Sequence, residues 1–314
     1  MKGKRTMDEL ELNSAKNLLN ENFPSLKWIV PGILPTGLTI LSSKPKQGKS
    51  FLALSLALNA SSGRIFLNHF DTNISKCLYV SCEDSKRMIQ RRLRRMIGEN
   101  KSILKADNFF IEETSTKGIM KNINMLAYFI GKYQLDLIIV DTLGKFIEPP
   151  ESGGNQYLNE YKMMGEYQNF AHENDVCLLF IHHNRKMSSS NSIDTILGTN
   201  GISGGADTLW ILNEYGARMK LDIYGKEVES KSLLVEFNKS NFEWSMIDEI
   251  SESDLSPEQE ELLNILRIHN KPLKLNEIAK LSGKQPNNVC TLLKKLVLKG
   301  YVSTPKTGHY KAIK

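Results

Sequence analysis

Cysteine is scarce. The 314 residues hold four, Cys77, Cys82, Cys177 and Cys290, scattered without paired spacing. Neither a disulfide framework nor a zinc site is indicated, which suits a reducing compartment, the cytoplasm. Long apolar runs are also missing. None approaches the roughly 18–20 residues needed to span a bilayer, and the opening MKGKRTMDELELN lacks the apolar segment of a signal peptide. No repeat of 20–50 residues is visible, which leaves out a solenoid. The chain therefore reads as a soluble globular protein, long enough for about two domains.

What is present is unevenly spread. The formal charge is +6, but residues 262–314 carry eleven Lys/Arg against one acid, Glu277, leaving the first 261 residues at −4. A basic excess confined to one end hints at an anionic partner. Residues 1–26 read as a polar arm with weak helical character. From Leu38 onward short apolar runs, LTILS (38–42), CLYVSC (77–82), FFIEE (109–113), LDLIIVD (135–141) and VCLLFIH (176–182), alternate with helical segments near 50–60, 85–97, 119–133 and 156–173. Continuous apolar strands separated by helices predict an α/β fold with a mainly parallel sheet. Segments 207–212, 217–225, 231–238 and 242–247 read as hairpin strands finishing that sheet. Seven acids and no Lys/Arg in 247–261 mark a solvated linker, running into a helix start at Ser256-Pro257. The division is thus 27–247, a linker 248–256, and a module 257–314.

The sharpest local signal is SSKPKQGKSFLAL (42–54), which follows a predicted strand and opens a predicted helix. That is the context of a P-loop, whose backbone N–H groups and helix dipole face phosphates. Ser43, Lys44, Pro45, Lys46, Gln47, Gly48, Lys49, Ser50 and Phe51 would line the nucleotide. Gly48 allows close approach, Lys49 reaches the β/γ-phosphates and the Ser50 hydroxyl meets Mg²⁺. Ser43 stands where such loops usually have their first glycine. The run LDLIIVD delivers Asp141 to a strand end, where a carboxylate can hold the metal. The following position, often the catalytic Glu, is Thr142. Glu83, at the end of another strand, is the candidate base, because parallel strands bring their C-terminal ends to one crevice. VCLLFIHH brings His182 to a strand end as well, either as a γ-phosphate sensor or as a core histidine. ATP is favoured over GTP, since no base-reading N/TKxD-like segment is present.

These residues in this order resemble the RecA-like ring ATPases, and most closely the RepA-type helicases and ATPases of plasmids and other mobile elements. The likeness spans about 27–247 and rests on KWIVPGILPTGLTIL, KPKQGKS, LYVSCEDSKRMIQRRL, LIIVDTL, LLFIHHNRK and ILGTNGISGGADTLWIL. It implies ATP and Mg²⁺ as ligands, Lys49 and Ser50 at the nucleotide, Glu83 as catalytic base, Asp141 at Mg²⁺ and His182 as sensor. It further implies a homo-oligomeric ring, a hexamer, with a cation from the neighbouring subunit completing each site. Arg218, Lys220 and Lys226 lie where such a finger could arise, and none is singled out. Single-stranded DNA would be met by loops 143–158, with Lys145, and 183–203, with Arg185 and Lys186. The basic helix 86–95 reads either as a further contact or as a solvated face whose arginines pair with acids.

Residues 257–314 read as three helices and a hairpin, the order of a winged helix-turn-helix. In the third helix Val289, Leu292, Leu293, Leu296 and Val297 share one side. Asn287, Asn288, Thr291, Lys294 and Lys295 share the other, as a recognition helix in a major groove requires. Lys284 precedes that helix, and Lys306 stands near the wing tip where it could grip phosphate. The expected function is an ATP-driven motor on DNA, a replicative helicase of a mobile element. The alternative is a non-translocating DNA-dependent ATPase: a loader, a recombination mediator or a nucleotide-controlled DNA-binding regulator.

Overall fold

The computed structural model describes residues 12–98, 103–104, 107–114, 123–147, 156–183, 201–215, 218–250, 255–298 and 300–313. A short hairpin, Trp28–Val30 (β1) and Leu34–Pro35 (β2), precedes a nine-stranded sheet. The central strands are Gly37–Ser43 (β3), Cys77–Ser81 (β4), Phe109–Glu113 (β5), Leu137–Asp141 (β6), Cys177–His183 (β7) and Thr208–Tyr215 (β8). All six are parallel, in the spatial order β5-β4-β6-β7-β3-β8. Arg218–Gly225 (β9), Lys231–Asn238 (β10) and Glu243–Glu249 (β11) then extend the β8 side as an antiparallel meander.

Helices cover both faces, which is why β3, β4 and β6 are buried at every position and lack polar alternation. On one face lies Lys49–Ser62 (α2), buried at every residue except Ser50 and Phe51. Lys86–Ile97 (α3) joins it there through Ile89 and Met96. The other face carries Ile123–Tyr133 (α4), the short turn Leu143–Phe146 (α5) and Gln156–Glu173 (α6), packed through Leu126, Leu143, Phe146, Met164, Tyr167 and Phe170. Successive strand residues alternate between the faces. Cys177, Leu179 and Ile181 join the α2 side, while Leu178 and Phe180 join the α6 side.

One carboxylate fixes β8 beside β3. The Leu38 amide donates to Asp207 Oδ2 at 2.9 Å, Gln168 and Lys226 donate to Oδ1 at 2.6 and 3.0 Å, and His172 Nε2 lies 2.8 Å from Oδ2. Burial works against the charge, yet these partners hold the Asp207 carboxyl below its usual range. The short turn Gly201–Gly204 (α7) precedes this point and packs on α6; a Cβ on Gly201 would meet the Tyr157 carbonyl at 2.2 Å. A Cβ on Gly205 would come 2.6 Å from the Met164 Cβ.

The C-terminal residues form their own small core. Pro257–His269 (α8) starts at a capping box, with Ser256 Oγ accepting from the Gln259 amide and the Gln259 side chain accepting from the Ser256 amide. It is followed by Leu273–Lys274 (β12), Leu275–Ser282 (α9), Pro286–Leu298 (α10), Val302–Lys306 (β13) and His309–Ala312 (β14). The three strands pair antiparallel in the order β12-β14-β13. Leu262, Leu266, Ile278, Val289, Leu293 and Leu296 fill the centre. At the other terminus Ala15–Leu19 (α1) is a single turn with no buried residue. Among the described residues no helix is long and apolar enough to cross a membrane.

Candidate nucleotide-binding site

The loop between β3 and α2 closes around an ammonium. Lys49 Nζ donates to Ser43 Oγ at 2.9 Å, to the Ser43 carbonyl at 3.0 Å and to the Lys44 carbonyl at 3.0 Å. Ser43 is fully buried as the last residue of β3. It has no positive φ, so the position does not demand glycine. Gly48 does: its φ is +87°, and a Cβ there would sit 2.7 Å from the Trp244 ring. Gln47 Oε1 accepts from the Lys44 amide at 3.1 Å and braces the loop, whose Lys44, Pro45 and Lys46 are exposed. Burial pulls Lys49 down to about 8, opposed by the carboxylates of Asp141 and Glu83.

Asp141 ends β6 on the α2 side of the sheet. It bonds the Ser50 side chain and accepts from the Tyr79 hydroxyl at 2.5 Å. Burial raises the Asp141 carboxyl while these two bonds oppose the rise. Among the described residues there is no cluster of three or more His, Cys, Asp or Glu able to hold a metal. One hydroxyl and one carboxylate still fit Mg²⁺, which keeps several waters and is commonly held by one or two protein groups together with substrate phosphates.

Glu83 follows β4, the neighbour of β6. Thr142 Oγ1 donates to Glu83 Oε1 at 3.1 Å, and Lys145 Nζ lies 3.7 Å from the same oxygen. Lys145, expected on a DNA loop, is thus beside the candidate base. His183 lines the same cleft, and among the described residues its Nδ1 is buried without a hydrogen-bond partner. Burial first, then the Lys49 charge, lowers its basicity, which favours the neutral ring. His182 does not share this position. Strand alternation sends it to the α6 side, so the sequence expectation is one residue off: the histidine facing the P-loop is 183.

The cleft, about 560 Å³, runs from the P-loop to the meander. Its far wall is aromatic: Phe51 stands 5.2 Å from Phe237, and Phe237 stands 5.1 Å from Trp244. Trp244 Nε1 also donates to the Gly48 carbonyl at 3.3 Å. Arg92 pairs with Asp84 and lies over the Phe51 ring at 4.8 Å. Sequence reasoning missed Tyr79, His183 and Trp244. Strand parity could have found the first; the run VCLLFIHH, apolar on both faces, does not declare the parity of His183, and nothing local marks Trp244, which lies 196 positions from Gly48.

The chain matches the family described as AAA domain (AAA_25) over residues 6–189, more than half its length. It belongs to that family. Among curated proteins, no relative matches. An AAA domain with this loop is a P-loop ATPase, which accounts for a buried lysine, a hydroxyl and a strand-end carboxylate meeting at the C-terminal edge of a parallel sheet.

The remaining expectations divide. Of the finger candidates, Lys220 bridges Asp222 at 3.0 Å and Lys226 bridges Asp207 at 3.0 Å, so both are paired within their own subunit. Arg185 and Lys186 lie outside the described residues. In the C-terminal module Asn287, Asn288, Thr291, Lys294 and Lys295 are all exposed on one side of α10, and Lys306 is exposed on β13. Lys284 differs. Its ammonium lies 3.2 Å from Glu261 and 3.5 Å from Glu258, and the Glu261 bond foremost raises its pKa. It braces α8 rather than joining the α10 face.

Proposed function

We propose that this ATPase drives a ring motor, a hexamer, on DNA in the cytoplasm, as a replicative helicase of a plasmid, phage or other mobile element. The observation that carries the reading is the convergence of Lys49, Ser50, Asp141 and Glu83 at one strand edge, with a separately folded basic module in the same chain. ATP phosphates would seat on the loop amides, with Lys49 exchanging the Ser43 and Lys44 oxygens for phosphate oxygens. Ser50 and Asp141 would hold Mg²⁺, whose charge offsets that of the phosphates. Glu83, steadied by Thr142, orients and deprotonates water. His183 offers a neutral donor toward the terminal phosphate, in place of His182. The base is assigned to the aromatic end of the cleft.

The C-terminal module is read as a winged helix on duplex DNA. Asn287, Asn288 and Thr291 reach base edges, while Lys294, Lys295 and Lys306 grip phosphates. Single-stranded DNA is assigned to the segments after β6 and β7, with Arg185 and Lys186 as its cations. The deciding experiment is strand separation on a tailed duplex with ATP and Mg²⁺. The motor reading expects unwinding that stops when ATP is replaced by a non-hydrolysable analogue. ATP turnover stimulated by DNA without strand separation overturns the helicase and leaves the loader or mediator.

A further inference from the structure

One side chain of β4 carries a hydroxyl that its core position does not require. Tyr79 is the middle residue of that strand and is 0 % exposed. β4 and β6 pair in parallel register, with Tyr79 opposite Ile139 and Ser81 opposite Asp141. Residues two apart share a face, so Tyr79 lies on the α2 side, one pleat behind Asp141. Its ring belongs to the apolar core that the sheet shares with α2. Phenylalanine would fill that space equally well, and a buried hydroxyl is costly unless it is bonded.

The hydroxyl has one hydrogen-bond partner among the described residues, Asp141 Oδ2 at 2.5 Å. Burial, then the Asp141 charge, pushes the phenol well above its ordinary range, so it stays protonated and keeps donating. Asp141 is itself buried, and it also bonds the Ser50 side chain. The phenol thus grips the back of the carboxylate whose other task is at the P-loop. Its neutrality matters. A lysine or arginine would hold the carboxylate as firmly but cancel the charge that Mg²⁺ needs. A phenylalanine would spare the charge and leave the carboxylate free to turn.

We infer that Tyr79 is a positioning residue for the metal: its hydroxyl holds the Asp141 carboxylate in the orientation that meets Ser50, before Mg²⁺ arrives with the nucleotide. The inference rests on the reading of Ser50 and Asp141 as the groups that hold Mg²⁺. Tyr79 is fully buried and acts only through Asp141. Mg²⁺ tolerates little departure from octahedral geometry, so a carboxylate free to turn holds it less well. Groups that orient a ligand from behind change metal affinity by roughly 10–100-fold when removed.

The test is calorimetric binding of a non-hydrolysable ATP analogue to the full chain, once with Mg²⁺ and once with EDTA. The proteins compared are the wild type, Tyr79→Phe, Asp141→Asn and the double variant. Mg²⁺ should tighten binding to the wild type. Tyr79→Phe, which keeps the ring and removes one oxygen, should cut that tightening about tenfold and leave the affinity in EDTA unchanged. In the Asp141→Asn background Tyr79→Phe should add nothing, because the carboxylate it acts through is gone. Equal tightening in the wild type and Tyr79→Phe overturns the inference and leaves the metal reading intact. So does a loss of the same size in EDTA, or a further loss of that size in the Asp141→Asn background. If Mg²⁺ does not tighten binding to the wild type, the metal reading falls and the inference with it. A Tyr79→Phe chain that circular dichroism shows unfolded also overturns it, since the hydroxyl then serves the fold and not one carboxylate.

Discussion

A lysine buried among carbonyls is the most telling residue. Its ordinary pKa lies above 10, but burial holds Lys49 at about 8 while it bonds only neutral oxygens. Phosphate would favour the charged form and raise that value. ATP binding should therefore be almost independent of pH below 8. Above it, binding should take up a proton and weaken as the free protein loses that proton. Calorimetry in buffers of different ionisation enthalpy, at pH 7 and pH 9, measures the uptake; none at pH 9 would contradict this account of Lys49. The paired histidines give a second expectation. His183→Ala should slow ATP turnover by tenfold or more, on the order expected when a donor to the transferring phosphate is removed. His182→Ala should change turnover much less, and equal effects would contradict the assignment by strand face. Asp141 was legible at the end of a strand, Glu83 just beyond one, and Lys49 and Ser50 at the start of the helix after another, because apolar runs announce where a buried strand stops. The histidine was misplaced because VCLLFIHH is apolar on both faces, so nothing in the run declares its parity.

At the scale of elements, the antiparallel meander does more than finish a sheet. Through Trp244 it closes over Gly48, and through Phe237 it walls the cleft. Trp244→Ala removes a nearly fully buried indole, which costs about 3–5 kcal/mol for such truncations. It also frees the P-loop. A fall in thermal midpoint together with weaker ATP binding is expected; weaker binding without loss of stability would contradict the clamp. This contact was illegible in the sequence, since period-2 patterning predicts β11 but not what its side chains cover. The C-terminal module was more legible. The two sides of α10 separated cleanly, because a 3.6-residue period fixes which residues face the core. Lys284 was not legible, because its partners lie on α8, more than twenty residues away. Lys294→Ala with Lys295→Ala should lower the slope of log affinity against log salt for duplex DNA by about two, roughly one for each phosphate no longer gripped. Lys284→Ala should leave that slope nearly unchanged, and an equal drop would return Lys284 to the DNA face.

Across the whole molecule, a net charge of +6 conceals a division. The sheet and its helices concentrate phosphate chemistry at one edge, while the basic excess sits in a small bundle with its own core. The parallel order was readable from alternating runs and helices. The arm was readable only as polar; its exposed leucines emerge from burial, which a sequence does not state. The claim on which everything rests is that Glu83 activates water at this site. The measurement that tests it most directly is steady-state ATP hydrolysis by the full chain and by its Glu83→Gln variant, with nucleotide affinity measured alongside. The account predicts that the variant binds ATP as tightly as the wild type while turnover falls by two to four orders of magnitude, about the contribution of a positioned general base. Turnover by Glu83→Gln equal to the wild type would contradict it.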